Sequence, residues 1–241
     1  MSDKKATFTP NDIMKLLDKL YENCIHGIPK ISPPISQLAN DYLSKHDDTS
    51  EAAKSFINYQ IAKCTTSGFI TGFGGLITLP ISIPANIGSV LYVQMRMIAC
   101  LAYMGGYDTN SDQVQTLVYA CLAGLSIDQI VKQFGIKFGM KFANNLVNKI
   151  PGKVLIKINQ KVGFRFLTKF GTKGLINIGK LIPVVGAIIS GGFDFTETKI
   201  IADRAYKMFI LNDFSSQKKN DSEEDIIEID DSDFDIIDEN E

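Results

Sequence analysis

From Cys64 to Tyr107 the chain carries one charged residue, Arg96, in forty-four positions. A soluble domain averages roughly one charge in four residues, so this run is either the core of a bundle or a segment that meets lipid. Pro80 and Pro84 divide it into two arms, Cys64–Leu79 and Ala85–Tyr107. The first arm is too short for a hydrocarbon core of about 30 Å, and the second contains Arg96, so neither reads as a clean spanning helix. The sequence poses a membrane question more sharply than a catalytic one.

The whole chain, 241 residues with 45% hydrophobic content and a mean hydropathy of +0.05, is greasier than most globular proteins but does not describe a polytopic membrane protein. The opening MSDKKATFTPND is polar and lacks the apolar stretch of a signal peptide, so secretion by that route is not expected. Cys24, Cys64, Cys100 and Cys121 are far apart with no Cys-x-x-Cys, and three of them sit in apolar surroundings. Buried thiols in a reducing compartment fit that pattern better than zinc or disulfides. The net charge of −2 hides an asymmetry. Residues 212–241 hold thirteen Asp/Glu and two Lys, a net of −11. The remaining 23 basic and 14 acidic residues leave the body, 1–211, at +9.

Turn and cap signals predict an all-α chain, a compact bundle of seven to nine helices. Thr9-Pro10 with Asp12 reads as an N-cap, Pro at N1 and an acidic first turn. Ile13, Leu16, Leu17, Leu20 and Tyr21 then mark an amphipathic helix ending near Gly27. Pro29, Pro33 and Pro34 make a linker before a short helix over Ile35–Ser44. Thr49 or Ser50 caps a longer helix, Ala85–Gly105 reads as a helix apolar on nearly all sides, and Asn110 or Ser111 caps the next, through Leu125. Ser126 with Gln129 predicts a helix to about Ile150. Helical signal resumes over Lys153–Phe170 and again from Val184 to Leu211. Leu76–Ile83 is ambiguous between helix and strand. The reading has three parts: an N-terminal helical segment, 1–48; a helical domain with a very apolar central hairpin, 49–211; and an acidic tail, 212–241, expected to be disordered.

Two features carry functional promise. Small residues four apart, Gly68/Gly72 and Gly135/Gly139, with Gly74-Gly75, Gly186 and Gly191-Gly192, let helix backbones approach closely in lipid or in a tight bundle. The second is a basic tract: from Gln129 to Phe193 there are eleven Lys/Arg and no Asp or Glu. Much of it steps by four through Lys137, Lys141, Lys149, Lys153, Lys157, Lys161, Arg165, Lys169 and Lys173, interleaved with aliphatics and phenylalanines. A four-residue step drifts by about 40° per repeat on an α-helix. The stripe therefore wraps unless Pro151-Gly152 or Gly163 resets its phase. Such a tract is either an ordinary solvated face or a site for lipid headgroups and other anions. Nucleic acid is disfavoured, because no helix-turn-helix spacing, aromatic RNA-binding motif or zinc ligands accompany it.

Catalytic signals are poor. There is no metal-ligand spacing, nucleophile elbow or P-loop, so no catalytic residue can be named and neither metal nor cofactor is expected. Arg96 and Asp194 are the charges most out of place in apolar context, and a buried ion pair between them is the plain structural expectation. The tail alternates acids with aliphatics, as in Asp225-Ile-Ile-Glu-Ile-Asp-Asp, a pattern suited to a protein partner or to solubilising the chain.

Several blocks resemble the EcsC protein family: Gly68-Phe-Ile-Thr-Gly-Phe-Gly-Gly-Leu-Ile-Thr-Leu-Pro, Ile83-Pro84-Ala85, Gly106-Tyr107-Asp108, Lys157-Ile-Asn-Gln-Lys-Val-Gly-Phe-Arg, Asn177-Ile-Gly-Lys-Leu-Ile-Pro-Val-Val-Gly and Gly192-Phe-Asp. They run in order from about Asn58 to Phe209. The N-terminal helices fit less clearly, and the acidic tail looks like an addition. The resemblance implies a bacterial cytoplasmic or membrane-associated protein, since the family is named after the third product of an operon encoding an ABC transporter. It transfers no catalytic residues. The family-like polar positions here, Arg96, Asp108, Asn159, Lys180 and Asp194, lie in apolar blocks and form a candidate buried polar network. The leading expectation is a non-enzymatic, membrane-associated accessory or adaptor factor of a transport system, peripheral to or partly inserted in the inner face of the cell membrane. Beside it stand a soluble adaptor that docks through its tail, and a small-molecule binder or enzyme built on the polar network.

Overall fold

The computed structural model describes residues 9–64, 85–125, 147–170 and 192–213, and these form seven helices with no strand among them. Helix α1 (Pro10–His26) starts as its sequence dictates. Thr9 Oγ1 accepts the Asp12 N–H at 3.2 Å, and the Thr9 N–H donates to Asp12 Oδ2 at 3.0 Å, closing a capping box. Its apolar face, Ile13, Leu16, Leu17, Leu20, Tyr21 and Cys24, is buried. After Gly27 the prolines hold a tight turn, with one bridge between Ile28 and Ser32, that leads into α2 (Ile35–Leu43).

Helix α3 (Thr49–Cys64) begins one residue earlier than a Thr49 cap allows and two earlier than a Ser50 cap, because the Asp48 carboxylate accepts the Glu51 N–H at 3.3 Å. Helix α4 (Ala85–Met104) is the centre of the bundle, and α1, α2, α3, α5 and α7 all pack on it. From Leu91 to Ala102 every residue is buried. Apolar on all sides, this stretch could have met lipid or protein, and the structure surrounds it with protein. At its C-terminal end Gly105 is required by contact: a Cβ there would collide with the Phe209 carbonyl oxygen. Helix α5 (Asp112–Ala123) takes Ser111 as its N-cap, with Oγ accepting the Val114 N–H at 3.3 Å.

Two further helices complete the description, α6 (Gly152–Phe170) and α7 (Gly192–Phe209). Helices α1 and α5 are tied together at Asp18, whose Oδ1 accepts Tyr119 Oη–H at 2.8 Å and Gln115 Nε2–H at 2.9 Å. The rings of Tyr21 and Tyr119 meet edge to face beside this link, with centroids 5.8 Å apart. Helix α6 packs on both α1 and α5, so this tie fixes its platform. Most of the first apolar arm, the predicted Ser126–Ile150 helix up to Leu146, the predicted start of the last helix at Val184, and the tail beyond Asp213 lie outside the described residues. So do Gly68, Gly72, Gly74, Gly75, Gly135, Gly139, Gly186 and Gly191.

Candidate functional site

The described part of the basic tract is α6 and the turn before it. Between Val147 and Phe170 stand Lys149, Lys153, Lys157, Lys161, Arg165 and Lys169, with no carboxylate. Val154, Leu155, Ile158, Val162 and Phe166 are buried against the platform, which leaves the opposite face to solvent. There Lys153 and Gln160 are exposed, and Ile156, three residues from the one and four from the other, is 60% exposed; Lys149, in the turn before the helix, is exposed as well. An exposed aliphatic one turn from Lys153 does not contribute to the core; it is available to an outside surface.

Gly163 does not reset the stripe, because the helix runs through it without a break. A Cβ at Gly163 would lie 3.1 Å from the Pro10 carbonyl oxygen, so this glycine serves the close approach of α1. The four-residue step therefore drifts as geometry demands, by about 120° over the three steps from Lys153 to Arg165. Exposure follows the drift: Lys153 is exposed, while Lys157, Lys161 and Arg165 are half-buried. Rotation carries Arg165 round to the C-terminal end of α5.

That end closes on Gly124, at φ 72° and ψ 26°, with Gly124 N–H and Leu125 N–H returning to the carbonyls of Cys121 and Ala120. Two guanidiniums converge on it. From the point a Gly124 Cβ would occupy, Arg204 Nη1 of α7 lies 2.9 Å away and Arg165 Nη2 lies 3.5 Å away. The two nitrogens are thus no more than 6.4 Å apart, the sum of those distances. Each arginine also has other contacts. The field of Arg204 reaches the Cys121 thiol, which burial nevertheless pushes up to about 12. Sequence reasoning singled out Arg165 but not Arg204, since only tertiary packing brings α7 to this point.

Three members of the candidate polar network, Arg96, Asp108 and Asn159, have described side chains. Arg96 is 9% exposed inside the bundle, where its Nη1 reaches the Tyr92 hydroxyl at 3.5 Å; that hydroxyl also bonds Ser32 Oγ at 2.7 Å. Its charge acts on the buried thiols of Cys24 and Cys100, lowering pKa values that burial has raised. Asp108 is exposed and shapes the turn before α5, accepting the Asn110 N–H at 3.0 Å. Asn159 sits half-buried on α6 with Oδ1 buried and without a hydrogen-bond partner. No hydrogen bond joins Arg96, Asp108 and Asn159 to one another. Lys180 and the side chain of Asp194 lie outside the described residues, as do Lys137, Lys141, Lys173 and the side chain of Lys169. Among the described residues no group of three His, Cys, Asp or Glu is arranged to hold a metal ion.

Compared with known families, residues 3–211 match the EcsC protein family. The chain belongs to the EcsC family. No curated protein and no solved structure matches it. The match begins well before the Asn58 start read from the sequence blocks, so α1 and α2 are part of what the family shares. It stops at residue 211, just before the acidic tail. The EcsC region therefore contains both the α1–α5 platform and the basic helix that rests on it.

Proposed function

We propose that this EcsC-family chain is a non-catalytic adaptor that docks peripherally on an anionic membrane surface through the exposed face of α6. The observation that carries this reading is the company Ile156 keeps. It is 60% exposed one turn from exposed Lys153, on a helix whose opposite face is already consumed by packing and whose preceding turn carries exposed Lys149. Near an anionic bilayer each Lys or Arg adds about 1 kcal/mol, and an exposed aliphatic can enter the interface between them. Among the described residues no helix is long and apolar enough to cross a membrane, and peripheral docking requires none. A surface that attracts the body at +9 repels the tail at −11. The tail is then held away from the bilayer, where it can reach a protein partner such as a component of transport machinery. On this reading the protein works at the inner face of the cell membrane.

The test is co-sedimentation of the full chain with phosphatidylglycerol-containing vesicles, against neutral phosphatidylcholine vesicles, over a range of salt. The wild type should pellet with the anionic vesicles and be released by salt. The double variant Lys149→Gln/Lys153→Gln, neutralising two exposed side chains, should bind about 30-fold more weakly, the equivalent of roughly 2 kcal/mol. Binding that ignores both salt and the double substitution would sink the proposal.

A further inference from the structure

We propose that the acidic tail occupies the exposed face at the start of α6, so that tail and bilayer compete for one surface. That competition rests on the docking reading above; the contact itself does not. The side chains of Lys149 and Lys153 are exposed and make no ion pair or hydrogen bond among the described residues. The first turn of α6 holds no acid, although a helix N-terminus favours negative charge. Lys153 sits in that turn, and Ile156, three residues on, is 60% exposed. Such a face suits an anion that also carries apolar groups. The tail supplies one. Residues 225–238 read Asp-Ile-Ile-Glu-Ile-Asp-Asp-Ser-Asp-Phe-Asp-Ile-Ile-Asp, and no Lys or Arg follows Lys219. Acids and aliphatics alternate closely enough for one short stretch to serve both lysines and Ile156.

Reach does not limit the contact. Arg204 of α7 and Arg165 of α6 both approach Gly124, so the two helices come together there. Ile156 stands nine residues before Arg165, about 14 Å along the helix. The chain leaves α7 at Phe209 and is described as far as Asp213. From Asp213 to Asp225 is twelve residues, enough for about 40 Å of extended chain. A tether of this length gives an effective concentration on the order of millimolar, so a weak contact suffices. The family match ends at residue 211, so the face belongs to the matched region and the tail lies beyond it.

The experiment uses the full chain. Carbodiimide in dilute, low-salt solution links carboxylates to the lysines they touch, and peptide mass spectrometry identifies the pairs. Acids of 225–238 should link to Lys149 and Lys153 in preference to Lys30 and Lys45, which are also exposed. High salt should erase the preference. Mixing isotopically heavy and light protein should show that the links lie within one chain. The full-length variant Ile226→Ser/Ile227→Ser/Ile229→Ser/Phe234→Ser/Ile236→Ser/Ile237→Ser keeps all thirteen tail acids. It should lose the links and bind phosphatidylglycerol vesicles about threefold more tightly, as expected for a face covered about two-thirds of the time. Plain repulsion between tail and bilayer would give no such gain, because no charge has changed. Links without vesicle binding would uphold the contact and overturn the docking reading alone. Vesicle binding with links spread evenly over the exposed lysines, and no gain in the variant, would overturn the contact and leave docking intact. Links mainly between heavy and light chains would also overturn it, in favour of a second copy.

Discussion

Helices α4 and α6 are nearly equal in length, 20 and 19 residues, and they solve opposite problems. Helix α4 has one charge and no polar face, and five other helices pack on it. Helix α6 has a charge at every fourth position and packs chiefly on two. The contrast separates two meanings of an apolar run. In α4 the missing periodicity means that no side faces solvent, and the hydrophobic effect is satisfied within the chain. In α6 the periodic half is likewise satisfied, and Ile156 stands out because it breaks the pattern on the charged side. A single exposed aliphatic is ordinary; one a turn from Lys153, on the helix proposed to dock, marks the surface to test.

The sharpest way to break this contrast is to truncate one side chain from each helix. Leu101 is fully buried in α4, and Leu101→Ala should destabilise the protein by about 2–5 kcal/mol through lost transfer energy and the cavity left behind. Ile156→Ala should stay within about 0.5 kcal/mol, as exposed positions usually do. Urea unfolding of the two variants checks it. Similar losses would mean that Ile156 is covered by something and is no free surface.

A second test uses the thiols around α4. Burial raises Cys100 from 9.0 to about 12 and Cys121 likewise, and it raises Cys24 still further. Below the unfolded-state value near 9 both states hold the proton and stability is at its full level. Between about 9 and 12 the unfolded chain gives up thiol protons that the folded chain keeps, so stability falls as pH rises. The slope is on the order of 1 kcal/mol per pH unit for each thiol. In native protein at pH 8 these three cysteines should resist a maleimide until denaturant is added, which peptide mass spectrometry resolves residue by residue. Rapid native labelling of Cys100 would show that the centre of the bundle opens readily.

Local chemistry was the legible part of this sequence. Thr9 with Asp12, Ser111, and the i, i+3, i+4 spacing of Ile13 to Tyr21 each act within one turn, so their consequences appear in the order of the residues. The cap of α3 was misplaced by one or two residues because Asp48, Thr49 and Ser50 are all competent caps. The drift of the lysine stripe was calculable, but that Gly163 serves the close approach of Pro10 rather than a break in the helix could not be read, since Pro10 lies more than 150 residues earlier in the chain. Arg204 was invisible for the same reason: Gly124, which it approaches, closes another helix. That Arg96 is buried, Asn159 half-buried and Asp108 exposed could not be read either, since an apolar sequence context does not say how deep a polar group lies.

The smallest expected effect bears most directly on the surface reading. Ile156→Ser leaves every charge on α6 in place and removes only the aliphatic group. Fully burying an isoleucine side chain is worth about 1.5–3 kcal/mol, and Ile156 is already two-fifths covered, so about 1 kcal/mol should be lost on docking. That corresponds to roughly fivefold weaker binding to anionic vesicles, with the salt dependence unchanged because the same lysines remain. The lysine double variant makes the opposite signature, a large loss together with a flatter salt response. If Ile156→Ser bound as tightly as the wild type, α6 would touch the bilayer through charge alone, and the exposed isoleucine would need another partner. If it lost as much as the double variant, insertion rather than charge would dominate, and the docking face would resemble an interfacial helix more than a basic patch.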